Sequence, residues 1–215
     1  MLPIYGRDPS SGTDVFRGMG QVAVLRCGFD GETLSYKAHG NFMSVMEPRG
    51  LCEPSLASGN GRFYLTLRND VKGYLAVSED GLNYGEPIPW HFDDGQEIGN
   101  YNTQQHWLKL NGKLFLVYTR RGLNNDHVFR HRAPLVMAEF DEENLCLIRE
   151  TERIVVPERG ARLGNFGVTP INSKESWVVV SEWMQNNGGG RNLGAIEKYG
   201  ANNTFFISKV TGDIN

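Results

Sequence analysis

Glu53-Pro54-Ser55-Leu56-Ala57 runs into a turn at Gly59-Asn60-Gly61, leaves it as Arg62-Phe63-Tyr64-Leu65-Thr66-Leu67-Arg68, and turns again at Asn69-Asp70. The chain returns as Gly73-Tyr74-Leu75-Ala76-Val77 and, after Ser78-Glu79-Asp80-Gly81, runs once more through Tyr84-Gly85-Glu86-Pro87-Ile88. Short apolar and aromatic runs punctuated by Gly, Asn and Asp read as strands and hairpins, so four in succession make one antiparallel sheet of four strands. No stretch carries the i, i+3, i+4, i+7 spacing of an amphipathic helix, and the class is all-β.

Working outward, the plan recurs. Gln105-His106-Trp107-Leu108-Lys109-Leu110, an Asn111-Gly112 turn, Leu114-Phe115-Leu116-Val117-Tyr118-Thr119, residues 135–140 and residues 145–148 give a second unit of four strands. Residues 164–171, Ser176-Trp177-Val178-Val179-Val180-Ser181 and Thr204-Phe205-Phe206-Ile207-Ser208 open a third unit that lacks its fourth strand. Upstream, residues 21–25 and 33–37, joined by Phe29-Asp30-Gly31-Glu32, read as the last two strands of a unit whose first two are missing. A repeat of roughly fifty to sixty residues fits the blades of a β-propeller. The expectation is one domain: a partial blade over 1–40, full blades over 41–90 and 91–156, and a partial blade over 157–215. The runs 114–117 and 177–180 are apolar without strict alternation, as in strands covered on both faces. A two-sheet sandwich would show cleaner alternation.

With 215 residues and 40% hydrophobic content the chain can build a packed core. A net charge of -3 supplies no global basic field for nucleic acid. Cys27, Cys52 and Cys146 are an odd, scattered set without CxxC spacing, which indicates neither a disulfide framework nor zinc. The first residues lack the charge, apolar run and cleavage site of a secretory signal, and no segment has membrane-spanning length, so a soluble chain is expected.

Ser78-Glu79-Asp80-Gly81-Leu82-Asn83-Tyr84 resembles the Asp box, the S-x-D-G-x-x-aromatic turn between the third and fourth blade strands of sialidases and related propellers. Arg49-Gly50-Leu51-Cys52-Glu53-Pro54-Ser55 is similar to the segment that opens a blade strand there, and Asp30-Gly31 and Asp141-Glu142-Glu143 stand at corresponding turns in degenerate form. The chain thus resembles a truncated member of the sialidase superfamily, with the Asp boxes on the face away from the active site. In that family an Arg triad holds the substrate carboxylate, a Tyr-Glu pair is the nucleophile and an Asp the acid/base; those parts do not all map onto this chain. The resemblance implies a glycan partner, no cofactor, and secretion or a periplasmic place for a full-length form.

In a four-stranded blade the second-to-third and fourth-to-first connections share the face opposite the Asp boxes, and the unusual residues gather there. Arg68, Asp70, Gln105, Arg120, Arg121, Arg130, His131, Arg132, Asn165 and Tyr199 are the candidate substrate-binding residues, because guanidinium groups grip a carboxylate bidentately. Each Arg has a competing role in ion pairs between blades. Glu53, His106, Tyr118 and Glu182 are the candidate catalytic residues: paired carboxylates serve glycoside hydrolysis, and His or Tyr moves protons near neutrality. Structural salt bridges for the acids, a backbone-satisfied His106 and a core Tyr118 are the competing readings. His127 and His131 have H-x-x-x-H spacing in a loop without further ligands, so no metal is expected. Asn186-Asn187-Gly188-Gly189-Gly190-Arg191-Asn192 reads as a mobile lip rather than a phosphate loop. The expected activity is an exo-sialidase-like glycoside hydrolase on an acidic glycan. A polysaccharide lyase, with His106 or Tyr118 taking a uronate C5 proton, and a non-catalytic glycan-binding or interaction propeller are the alternatives.

Overall fold

The structure is a computed structural model that describes residues 1–7, 19–185 and 193–212. It holds four antiparallel sheets. Sheet A joins β1 (Leu2–Arg7), β2 (Gly20–Phe29) and β3 (Leu34–His39) in that order. Sheet B is the meander β4 (Cys52–Gly59), β5 (Arg62–Arg68), β6 (Tyr74–Ser78) and β7 (Ile88–Pro89). Sheet C runs β8 (His106–Leu110), β9 (Lys113–Tyr118), β10 (Leu135–Asp141), with β11 (Cys146–Leu147) and β12 (Arg153–Val156) pairing opposite ends of β10. In sheet D, β13 (Arg162–Leu163) and β14 (Gly167–Asn172) lie along one side of β15 (Glu175–Trp183), and β16 (Phe205–Thr211) along the other. The short helix α1 (Gly194–Glu197) precedes β16.

The two Asn-Gly hairpins form as their chemistry requires. Gly59 pairs Arg62 and Leu110 pairs Lys113 across two-residue loops. Both loop residues have positive φ, 46° and 77° at Asn60-Gly61 and 52° and 80° at Asn111-Gly112, which matches the twist of the flanking strands.

The sheets stack face on face around a common line. The first strands meet in succession, β1 against β4, β4 against β8 and β8 against β14. One apolar cluster lies in each gap: Val22, Val24, Leu65 and Leu67 between A and B; Tyr64, Leu75, Trp107, Leu116 and Phe140 between B and C; Leu108, Val117, Leu135, Val178 and Val180 between C and D. Middle sheets therefore bury both faces, which is why β5 and β9 lack strict alternation. On the terminal sheets Phe29, Leu34 and Tyr36 of A and Phe205 and Ile207 of D are exposed. This is an incomplete propeller-like fold, and the expected class stands.

Three Asp turns close the hairpins on one side. Asp80 Oδ1 accepts from the backbone N–H of Leu82 and Asn83 at 2.8 and 2.7 Å, while Ser78 Oγ accepts from Gly81 N–H at 2.9 Å. Asp141 repeats the pattern with Glu143 and Asn144, and Asp30 with Glu32 and Thr33. These bonds hold the Asp80 carboxyl well below the usual carboxylate range. Tyr84 packs back into the A/B core.

Four details differ from the sequence expectation. Leu2–Arg7 adds a strand to sheet A, because its short run, broken by Pro3 and Gly6, needed β2 to define it. The fourth strand of B shrinks to Ile88–Pro89. Sheet C gains β12, and the 164–171 strand is split, with β13 starting at Arg162.

Candidate active site at the mouth of the sheets

The ends of β5, β9 and β15 and the starts of β4, β8 and β13 lie on the face opposite the Asp turns. A β-bulge between Cys52 and Ser55 interrupts the start of β4, and Glu53 sits within it at φ 44°. A left-handed glutamate costs on the order of 1 kcal/mol, and a bulge re-aims the side chain it carries. Here it brings Glu53 to Arg68 at the end of β5, with Arg68 Nη1 donating to Glu53 Oε2 at 2.7 Å and Nη2 to Asn102 Oδ1 at 2.8 Å. Burial opposes the Arg68 charge, but the bond and charge of Glu53, with Asp70 adding to them, together outweigh it and raise the guanidinium pKa. Asp70 stands 3.6 Å from Arg68 and also pairs Arg49 at 3.2 Å.

Beside this pair lie two guanidinium groups of a different kind. Arg132, 4% exposed, donates from Nη2 to Asn165 Oδ1 at 2.9 Å and to the Gly164 carbonyl at 3.2 Å, with Gln104 Oε1 at 3.5 Å. Arg162, also 4% exposed, lies over the Trp183 ring at 3.5 Å with its Nε unbonded. Among the described residues neither touches a carboxylate. Burial and the charges of Arg162, Arg68 and Arg130 push the Arg132 guanidinium down to about 10, against the pull of Glu53. Burial and Arg130 push Arg162 to about 10 as well. Arg68, Arg130, Arg132 and Arg162 thus form one cationic cluster, in which the acids Glu53 and Asp70 both stand at Arg68.

His106 opens β8 edge-on to Phe166, with ring centroids 5.1 Å apart. Burial lowers its pKa, opposed by Glu53, which keeps the imidazole neutral at pH 7 and able to accept a proton. It also ends a groove of about 290 Å³ between β4, β8 and β14, lined by Ser55, Ala57, Lys109, Val168 and Pro170 among others.

Other sequence candidates are engaged elsewhere. Tyr118 is fully buried and donates to Glu152 Oε1 at 2.5 Å, and Arg120 grips the same carboxylate through Nε and Nη2 at 2.8 and 2.6 Å. Burial and Glu152 push the Tyr118 phenol far up, so both residues serve as a clamp between β9 and β12. Glu182 is buried, accepts from the N–H of Asn202 and Thr204 at 3.0 and 2.8 Å and pairs Arg159 at 3.5 Å, pinning the turn before β16. Gln105 is fully buried, bonded to Thr66 and Thr103. Tyr199 stacks on His127 at 4.2 Å and His127 pairs Glu158, while His131 faces Tyr101 and Asp126, so the two histidines turn to different partners among the described residues. Arg121 lies over the Tyr101 ring at 3.6 Å, and Tyr101 bonds His131. The 186–192 segment lies outside the described residues.

Sequence reading missed Arg162, Tyr101 and Asn102. The polar run Asn100-Tyr101-Asn102-Thr103-Gln104-Gln105 before β8 was a usable signal, since a strand lead-in needs no such density of hydrogen-bonding groups. Arg162, set between Ala161 and Leu163, offered none.

No family model matches the chain, and no curated protein matches it by sequence. Similar folds exist among solved structures. A protein of unknown function from Dyadobacter fermentans is 14% identical, with a TM-score of 0.57 over 98% of this chain and 49% of that one. A GH43_1 enzyme from Xanthomonas citri is 15% identical, with a TM-score of 0.52 over 88% of this chain and 71% of that one. A GH43 beta-1,3-galactosidase solved with galactodeoxynojirimycin is 12% identical, with a TM-score of 0.50 over 83% of this chain and 64% of that one. The chain spans about half the length of the first of these, and what it shares with all three is the propeller-like fold, an architecture that glycoside hydrolases use.

Proposed function

We propose that this chain is part of a carbohydrate-active enzyme of the sialidase-like class, a glycoside hydrolase on an acidic glycan. Arg132, Arg162, Arg68 and Arg130 seat the sugar carboxylate, and Glu53 and His106 move protons beside it. The observation that carries this reading is the pair of buried guanidinium groups, Arg132 and Arg162, with no carboxylate in contact among the described residues. A buried charge without a partner costs several kcal/mol, and a bound anion recovers that cost. The all-β fold shared with glycoside hydrolases supports the same reading.

The test is calorimetric titration of the full chain with sialylated, uronate-containing and neutral oligosaccharides, followed by assay of reducing sugar released. Acidic glycans should bind about 10- to 100-fold more tightly than neutral ones, the equivalent of one or two charge-assisted hydrogen bonds. Arg132→Gln should remove that preference. Equal affinity for acidic and neutral glycans, or an unchanged preference in Arg132→Gln, refutes the reading. Turnover that yields an unsaturated, ultraviolet-absorbing product replaces hydrolysis with elimination.

A further inference from the structure

Beside the arginine cluster, the 120–133 connection builds an arrangement that the proposed hydrolysis does not use. Tyr101 Oη lies 2.5 Å from His131 Nδ1, and His131 Nε2 lies 3.1 Å from Asp126 Oδ1. A carboxylate only accepts, so Nε2 carries the hydrogen; Nδ1 is then the acceptor and the phenol is the donor. In the neutral ring the two hydrogen bonds point one way, from Tyr101 to His131 and from His131 to Asp126. The order of groups is that of a hydroxyl, imidazole and carboxylate triad, with phenol in the hydroxyl place and the ring nitrogens exchanged.

The backbone is held in an uncommon conformation to make it. Arg130 and His131 are consecutive left-handed residues, at φ 58° and 51°, which cost on the order of 1 kcal/mol each. Asn125 Nδ2 fixes the loop from inside, donating to the carbonyls of Arg120, His131 and Ala133. Arg121 covers the Tyr101 ring at 3.6 Å, where its charge favours a phenolate. Burial raises the Tyr101 pKa against the pull of Arg121 and Arg130, so the resting phenol is protonated and needs its neighbour to become reactive.

We propose that Tyr101, His131 and Asp126 form a proton relay that makes Tyr101 a reactive phenol toward anionic electrophiles. The Tyr101 O–H bond breaks, its proton joins His131 Nδ1, and Asp126 faces the resulting imidazolium. The phenolate oxygen then bonds the electrophile, whose leaving group departs with the electron pair.

The probe is 4-(fluorosulfonyl)benzoate, whose carboxylate suits the arginines: the phenolate forms the S–O bond and fluoride leaves. Peptide mass spectrometry on the full chain reads the labelling rate of each tyrosine. Tyr101 should label at least about tenfold faster than the exposed Tyr5 and Tyr36. His131→Ala should bring it to their rate, and added imidazole should restore it, which a merely structural role would not allow. Asp126→Asn, at a side chain 95% exposed, should slow labelling severalfold. Labelling of Tyr101 no faster than Tyr5, or loss in His131→Ala without rescue, overturns the relay; an unchanged rate in Asp126→Asn removes Asp126 from it. Labelling needs no glycan, and benzenesulfonyl fluoride, which has no carboxylate for the arginines, run beside the benzoate separates failure of the relay from failure of anion seating.

Discussion

Replacing Glu152 by Ala tests the assignment of Arg120 and Tyr118 to the framework. The carboxylate receives three donors, two from Arg120 at 2.8 and 2.6 Å and one from Tyr118 at 2.5 Å, with the ion-paired side chains only 16% and 15% exposed. Removing one partner of a pair this sheltered leaves a guanidinium and a phenol without an acceptor, at a cost of about 3 kcal/mol, the low end for buried pairs. In a chain of this size that lowers Tm by about 6–12 °C. Burial pushes the Glu152 carboxyl up, but the bonds from Arg120 and Tyr118 outweigh it and hold it below its ordinary 4.5. A depressed carboxyl stabilises fully above its unfolded pKa and loses that contribution as pH falls through the folded one. Urea melts of native and Glu152→Ala should therefore differ most above about pH 5 and converge in acid. The double variant Arg120→Met, Glu152→Leu should regain part of the loss, because the guanidinium is gone and only the Tyr118 phenol is left without an acceptor. A single-variant Tm shift under about 2 °C, or a double variant no better than the single, refutes the clamp.

Arg132→Met should raise the Tm of the free protein, since a guanidinium pushed down to about 10 is held at a cost, and abolish the extra stability that an acidic glycan confers; a lower Tm, by scanning calorimetry, contradicts this. Because burial lowers the His106 pKa, the unfolded chain binds the proton first, so stability is lost as pH falls below about 6.5, with a slope of at most about 1.4 kcal/mol per pH unit. Denaturant titrations of His106→Gln should show a flatter slope in that window. Asn125→Ala strips a donor from three carbonyls and should cost about 2–3 kcal/mol, with hydrogen exchange accelerating first over residues 120–133.

Local chemistry made the sheets legible. Asn60-Gly61 and Asn111-Gly112 fix register through their own φ preferences, and the unbroken apolar run of β9 announces a strand covered on both faces, whereas the similar run at 177–180 lies on a terminal sheet and alternates in burial. The same reasoning reached Glu53, Arg68, Arg132 and His106, because strand ends on one face meet in any radial stack. It did not separate Arg120 from Arg132. That distinction rests on Glu152, which lies 32 residues beyond Arg120 in the chain and reaches it only through the pairing of β12 with β10. Leu2–Arg7 was missed for a similar reason, since its partner β2 supplies what its own pattern lacks. Glu53 could be placed at a strand opening, but the bulge that turns it toward Arg68 has no sequence period to betray it.

The apolar clusters are each shared by two consecutive sheets, and this bears on how the chain must be made. Tyr64 and Leu75 leave the ribosome before the rings that cover them, Trp107 and Phe140, which follow only after dozens of further residues. A nascent chain carrying the 53–89 meander alone presents that face to water, where chaperones or a neighbouring ribosome's product can find it. Collapse of the first two-sided layer waits for Phe140, so synonymous changes that slow translation between Tyr64 and Phe140 lengthen the exposed interval and favour aggregation over yield.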